Sequence, residues 1–530
     1  MRAWLMYHDR DFDRAQEPPW NGTALTRDLA LDTLLAAMAG RDALVFEMAQ
    51  KGLLLGSGNP PDTIRYRQAV LRDCLQNAPV VTAIYALADE AIISRKKHWW
   101  WSLSSHYPDS ILHGAVDLLQ TLVGLLRRLR EIGRAETGRV ESQGFTRLFT
   151  SLDQELSDDY LASIQAHLGE LKFRQGVLMS ARLGDRNEGT NYVLRQPDGP
   201  GPGLLDRLLG RGPAAYTFRI DERDEAGARA LAALRGRGIN DVANALAQAA
   251  DHVLSFFDSL RAELAFYLGG VHLHDRLVER GLPTVFPALA PAGRRQYECR
   301  ALYDVSLALS LDRQIVGNDL DASGRDLLVV TGANQGGKSS FLRSVGLAQL
   351  MLQCGLFVGA AAFTGEPCPA VVTHCRREED RTMTSGKLDE ELARISEIAD
   401  HVVPGALVLF NESFAATNER EGSEIAKQTV RALLNKGIRI VYVTHLYAFA
   451  HEMFATGGDA VLCLRAERLA DGTRTFRMVE GQPLETSYGE DLYREVFGAG
   501  PEERDAAMAS SSASTDDGAD VQADRAGPRG

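Results

Sequence analysis

The chain has 530 residues, 45% hydrophobic and 24% charged, with a formal net charge of −13. At roughly 150 residues per domain, this length predicts about three or four domains with ample apolar material for their cores. The acidic balance excludes a nucleic-acid binder that relies on bulk positive charge, while leaving room for local basic patches. The six cysteines, Cys74, Cys299, Cys354, Cys368, Cys375 and Cys463, form no CxxC pair. Neither a zinc site nor a disulfide framework is expected, and free thiols in a reducing cytoplasm are. The N-terminus "MRAWLMYHDRDFDRAQEPPW" has no apolar signal-peptide core, and the most apolar helical stretch, 111–126, contains Asp117 and is too short to span a bilayer. A cytoplasmic protein without membrane contact is therefore expected.

In chain order, an N-terminal segment (1–24) precedes a helical region over 25–290. "LALDTLLAAMAGRDALVFEMAQKGLL" repeats apolar residues at three- and four-residue spacings, and "PPDTIRYRQAVLRDCL" offers Asp62 as an N-cap after a proline pair. Residues 171–222 read as a strand-containing insert: "KFRQGVLMSARL", "TNYVLRQPDGPGPG" and "AAYTFRIDE" are short and turn-bounded. The long helical stretch that follows, from Asp224 to Leu277, carries glycines that predict a broken helix. "ERGLPTVFPALAPAGRR" marks a boundary near 290. Over 291–499 strands alternate with helices, as in a sheet with crossover helices. Residues 500–530 are Ser/Ala/Asp-rich with three basic and seven acidic residues, and read as a disordered acidic tail.

"LLVVTGANQGGKSSFLRSVGLAQLML" holds Gly332-x-x-x-x-Gly337-Lys338-Ser339 between an apolar strand, Leu327–Val330, and a helix with Phe341, Val345, Ala348 and Leu352 on one face. Glycines such as Gly332, Gly336 and Gly337 let backbone N–H groups turn inward around phosphates, and the helix N-terminus adds partial positive charge. Lys338 can reach the β- and γ-phosphates, Ser339 can ligate Mg²⁺, and Ser340 belongs to the same loop. The expected cofactors are ATP and Mg²⁺.

"ALVLFNES" reads as a buried strand that surfaces at Asn411-Glu412. About 70 residues after Lys338, a parallel sheet can bring Glu412 to the γ-phosphate, where a carboxylate orients the attacking water. Asn411 stands where nucleotide enzymes usually place a second aspartate. Two unit charges about 4 Å apart contribute on the order of 4 kcal/mol at an effective dielectric of ~20. Asn411 therefore holds Mg²⁺ more weakly, through a metal-bound water, and slow hydrolysis is expected. "GIRIVYVTHL" is a further buried strand, and His445 at its end can hydrogen-bond the γ-phosphate or the water. "MTSGKLDEELARISEIAD" reads as a helix after Ser385-Gly386 with Leu388, Leu392, Ile395 and Ala399 as its apolar stripe; its N-terminus is an anion site.

"TGANQGGKSSFLRS", "GLFVGAAAF", "TSGKLDEEL", "LVLFNES", "VTH" and "SYGEDLYREVFG" follow the order of the C-terminal ATPase of the MutS family, an ABC-type P-loop ATPase. The resemblance is specific over roughly 300–498 and weaker over 25–290, which resembles the family's lever and clamp. It implies a multidomain fold: a mostly α-helical lever/clamp region followed by an α/β ATPase domain. It further implies a homodimer through the ATPase domains with two composite sites. In them Lys338 and Ser339 bind phosphate and Mg²⁺, Glu412 activates water and His445 senses the γ-phosphate. Ser385 reaches the partner's nucleotide in trans, and Asn334 matches the family's loop asparagine. Departures are Asn411 and "SFAATNEREG", which replaces a glycine- and threonine-rich turn. No Phe-x-Glu occurs near the N-terminus, so a shortened form without the mismatch-recognition domain is expected, as is the lack of a C-terminal nuclease domain.

Other features divide between bland and functional readings. Arg95, Lys96, Lys97 and His98 precede Trp99, Trp100 and Trp101, a pattern that fits stacking on nucleic acid or packing between helices. His272 and His274 sit at i and i+2, which do not face each other on a helix, so no metal pair is expected. The polar stretch 182–195 fits a clamp tip or a plain hairpin loop. The leading function is an ATPase whose nucleotide state opens and closes a dimeric clamp, on duplex or branched DNA, related to mismatch repair. The alternatives are an ATP-gated interaction protein with little or no hydrolysis, and an ABC-type ATPase acting on partners other than nucleic acid.

Overall fold

A computed structural model describes residues 1–102, 108–173, 176–186, 188–195, 219–221, 223–291, 293–311, 314–377 and 386–485. Eight helices come first: α1 (Gly22–Asp28), α2 (Leu31–Ala39), α3 (Ala43–Leu54), α4 (Pro61–Gln76), α5 (Ala78–Ser102), α6 (Pro108–Glu136), α7 (Gln143–Glu155) and α8 (Asp158–Glu170). The sequence places an N-cap at Asp62, but α4 starts two residues earlier than that implies, with Pro61 in its first position and Pro60 as the cap. The fixed φ of proline suits that first position, where its missing N–H has no partner to lose. Asp62 instead pairs with Arg65 at 2.9 Å within the first turn.

The insert forms an antiparallel hairpin of β1 (Met179–Leu183) and β2 (Gly189–Leu194). The third strand-like run lies largely outside the described residues, as do "SYGEDLYREVFG" and the acidic tail. The next helix, α9 (Glu225–Glu279), runs unbroken for 55 residues, contrary to the break that its glycines suggest. Each helical glycine costs about 1 kcal/mol relative to alanine, but here packing offsets it. A Cβ on Gly269 would stand 3.1 Å from Met38, and one on Gly270 would stand 3.0 Å from Leu71. The missing side chains let α2 and α4 approach the long helix.

The N-terminal segment is not a loose lead-in. Leu5 and Met6 are fully buried, and their N–H groups, with that of Phe12, donate to the carboxylate of Glu263 on α9. The helical region also packs on the α/β region. Asn21 Nδ2 donates to Val371 O at 2.7 Å, Gln68 Nε2 to Pro287 O at 3.1 Å and Asn59 Nδ2 to Gln353 O at 3.0 Å.

The α/β region contains β3 (Ala288–Leu289), β4 (Tyr297–Leu302), α10 (Val305–Ser310), β5 (Asn318–Asp321), β6 (Leu327–Gly332), α11 (Lys338–Gln353), β7 (Ala362–Gly365), β8 (Val371–Cys375), α12 (Lys387–His401), β9 (Leu407–Asn411), α13 (Glu419–Asn435), β10 (Arg439–Val443), α14 (Tyr447–Thr456), β11 (Val461–Arg468) and β12 (Arg474–Glu480). The main sheet has the order β12-β11-β6-β10-β9-β8, parallel except for β12. Strands β3, β7, β4 and β5 make a second sheet. Alternate residues of the central strands feed two cores, as period-2 geometry requires. Leu328, Val330, Leu409, Val441 and Val443 join the core containing α11. Leu327, Val329, Val408, Phe410, Ile440 and Tyr442 join a core with α12, α13 and α14. Burial on both faces explains why these strands read as continuous apolar runs. Among the described residues, no helix is long and apolar enough to cross a membrane.

Candidate functional site

The registers align the C-terminal ends of three neighbouring strands. Val443 of β10 lies opposite both Val330 of β6 and Asn411 of β9. The chain leaving β6 enters the loop 333–337, that leaving β9 supplies Glu412, and that leaving β10 supplies Thr444 and His445. All three therefore emerge at one edge, where open α/β sheets hold their ligands.

The loop is built for close backbone approach. Gly332 has φ +112° and Gly337, which caps α11, has φ +89°, a region that side-chain-bearing residues rarely adopt. Lys338 opens α11 and is 5% exposed. Its Nζ donates to the carbonyls of Gly332 and Ala333, both at 2.9 Å. Burial pulls its pKa down to about 8, against the pull of the Glu412 charge. Ser339 Oγ donates to Asn411 Oδ1 at 3.0 Å. His445 Nε2 lies 3.1 Å from Glu412 Oε1, hydrogen bonded to it. That bond, with the charges of Lys338 and Arg376 behind it, holds the Glu412 carboxyl below its ordinary range despite burial. The Glu412 side chain is thus an ionised acceptor.

These groups border a cleft of about 520 Å³, whose lining includes Asn334, Gly336, Gly337, Lys338, Ser339, Ser340 and Glu412. The rest of its wall carries the apolar and aromatic side chains of Tyr303, Leu307, Ile315 and Phe476 together with the polar Asp304 and Gln314. Phe476 arrives from β12, and Asn318 Oδ1 accepts the N–H of Met478 at 2.7 Å beside it. Arg474, on the same strand, donates to Gln335 Oε1 at 3.1 Å at the loop tip. The wall escaped the sequence reading because its residues come from β12 and from around α10, far apart in the chain and without a local motif. Ser385 lies outside the described residues.

Helix α12 corrects the sequence in detail. Its inward face is Leu388, Glu391, Ile395 and Ile398, while Leu392 is 40% exposed and Ala399 is exposed. The apolar stripe read from the spacing holds at Leu388 and Ile395 and fails at Leu392 and Ala399, because the helix turns the buried Glu391 inward instead. The cysteines are free, and among the described residues no three or more His, Cys, Asp or Glu side chains group as a metal site would need. His272 is instead bonded to Met38 O at 2.8 Å.

Two families match the sequence: one described as MutS2 N-terminal domain over residues 59–280, and one described as MutS domain V over 328–496. The chain is 29% identical over 272 residues to the Endonuclease MutS2 of Thermomicrobium roseum, a stretch that is 48% of this chain and 33% of that protein. It is 33% identical over 174 residues to the Endonuclease MutS2 of an Anaeromyxobacter species, covering 32% of this chain and 21% of the relative. It is 27% identical over 143 residues to human MutS protein homolog 4, 27% of this chain and 15% of the relative. The matched stretches thus span a third or less of these curated relatives.

Proposed function

Because the chain belongs to the MutS family, we propose that it binds and hydrolyses ATP through an ABC-type P-loop site and uses its nucleotide state to control a dimeric clamp on DNA. The observation that carries the reading is the common edge. A buried lysine at a glycine-capped helix start and an ionised glutamate bonded to a histidine border the same cleft. A triphosphate laid along the loop meets the N-terminus of α11 and the ammonium of Lys338. Glu412 takes a proton from a water as its oxygen attacks the γ-phosphorus. The bond from that phosphorus to the β–γ bridging oxygen breaks, and ADP and phosphate leave. His445 holds the carboxylate in place through its 3.1 Å bond. The oxygens of Ser339 and Asn411, 3.0 Å apart, form a hard donor pair that suits Mg²⁺, whose charge would offset that of the β- and γ-phosphates. With an amide in place of an acid at 411, turnover is slow.

The division into a lever- and clamp-like region over 25–290, an ATPase domain over 291–499 and an acidic tail over 500–530 belongs to this proposal. So do the homodimer, the action of Ser385 in trans and the placement in the cytoplasm. Asn411 also supports a second reading, an ATP-gated interaction protein that hardly turns its nucleotide over. A phosphate-release assay separates the two. The first predicts turnover in the parent chain that Glu412→Gln abolishes, and an absence of turnover in the parent favours the second.

A further inference from the structure

Directly behind Glu412 stands a buried carboxylate that the proposed reaction does not use. Glu391 of α12 is 3% exposed, and its Oε2 accepts the backbone N–H of Phe414 at 2.7 Å. Phe414 closes the turn that aims Glu412. Within that turn Glu412 has φ +53° and Phe414 has φ +63°. Left-handed backbone at two non-glycine residues persists only where the surroundings over-determine it.

Three elements grip this turn. From β10, Val443 O accepts the Glu412 N–H at 2.9 Å, and Tyr442 donates its hydroxyl to Ser413 O at 3.1 Å. From β8, His374 O accepts the Ser413 hydroxyl at 2.9 Å, and His374 Nδ1 lies 2.6 Å from the same Oγ. The third grip, Glu391, differs in two respects. Its bond is charge-assisted, hence stronger than a neutral one. It also comes from a helix and not from the sheet. His374 Nε2 reaches the Glu391 backbone carbonyl at 3.3 Å, and Arg394 of α12 donates to Cys375 O at 2.9 Å, so α12 is fastened to the β8 edge as well.

We infer that Glu391 is a positioning residue for Glu412: by holding the Phe414 N–H it fixes the turn 412–414 and passes any displacement of α12 to the carboxylate in the cleft. This rests on the proposed role of Glu412 in activating water.

The test is steady-state ATP hydrolysis, with ATP binding measured in parallel, for the full chain and for Glu391→Ala and Glu391→Gln. The alanine variant should lower kcat about tenfold or more and leave KM and ATP affinity within about twofold. The glutamine variant keeps an acceptor for the Phe414 N–H and should recover to within about threefold of the parent. An alanine variant as fast as the parent overturns the inference, as does a glutamine variant as slow as alanine. ATP binding that falls in step with turnover in both variants marks a purely structural role and also overturns it. A parent chain without turnover contradicts the hydrolytic reading itself, a different result from a turning-over parent that is indifferent to residue 391.

Discussion

Lys338 sits between two demands, a buried charge and a phosphate site. Its Nζ is satisfied by two loop carbonyls, yet burial brings its pKa to about 8. A bound triphosphate favours the ammonium, so binding above that pH must take up a proton. The sign follows: ATP affinity stays flat below about pH 8 and falls, by up to about tenfold per pH unit, above it. Equilibrium titration from about pH 7 to about pH 9.5 checks this, and affinity that stays flat throughout contradicts it. At position 411 the side-chain oxygen already faces Ser339 at 3.0 Å. Asn411→Asp adds a unit charge there, worth on the order of 4 kcal/mol before desolvation. It should lower the Mg²⁺ concentration for half-maximal turnover by about tenfold or more, which a metal titration reads directly. The neighbourhood of Gly332, Lys338, Ser339 and Glu412 was legible in the sequence because loop and strand ends are local patterns, while their chemical roles remain a proposal. Glu391 was not legible, because nothing local marks a glutamate whose partner is a backbone N–H 23 residues away.

At the scale of elements, pattern was easier to read than continuity. The helical periodicity of 25–170 and the apolar strands of the main sheet follow from their spacing. The unbroken course of α9 does not, since its glycines are tolerated by contacts with α2 and α4 that no single stretch reveals. The same helix carries Glu263, fully buried, with its carboxylate facing the N–H groups of Leu5, Met6 and Phe12. Burial raises its pKa to about 7 although those three bonds oppose it. A carboxyl raised on folding binds more protons folded than unfolded. Its contribution is therefore most favourable near pH 4.5 and declines as pH rises to about 7, by about 3 kcal/mol at most. In Glu263→Gln the amide NH₂ must face a backbone donor, so this variant should lower stability by about 2 kcal/mol or more and expose residues 1–12 to protease. Urea melts and limited proteolysis test both; a variant as stable and as resistant as the parent rules out this role for Glu263.

For the whole molecule, one core runs from the N-terminal helices into the α/β region. The α/β region is thus tied to α4 and the chain just before it, through contacts such as Gln68 to Pro287 and Asn59 to Gln353. The sequence separates these regions by composition and gives no sign of the shared core, because contacts between residues hundreds of positions apart leave no local trace. If the molecule clamps DNA, the net charge of −13 requires that binding come from local cationic patches. The logarithm of the affinity for duplex should then fall linearly with the logarithm of salt. It should also be higher with ATP in the Glu412→Gln chain than without nucleotide. An affinity that is indifferent to nucleotide, or no binding at low salt, contradicts the clamp while leaving the nucleotide site untouched.

The central claim is that Lys338 and Glu412 act on one nucleotide. The most direct measurement loads stoichiometric ATP with Mg²⁺ onto the parent, Glu412→Gln and Lys338→Ala chains, then separates and identifies the bound nucleotide after a fixed time. The account predicts ADP on the parent, intact ATP on Glu412→Gln and no bound nucleotide on Lys338→Ala. ADP on Glu412→Gln at the parent's level, or undiminished binding by Lys338→Ala, would contradict it.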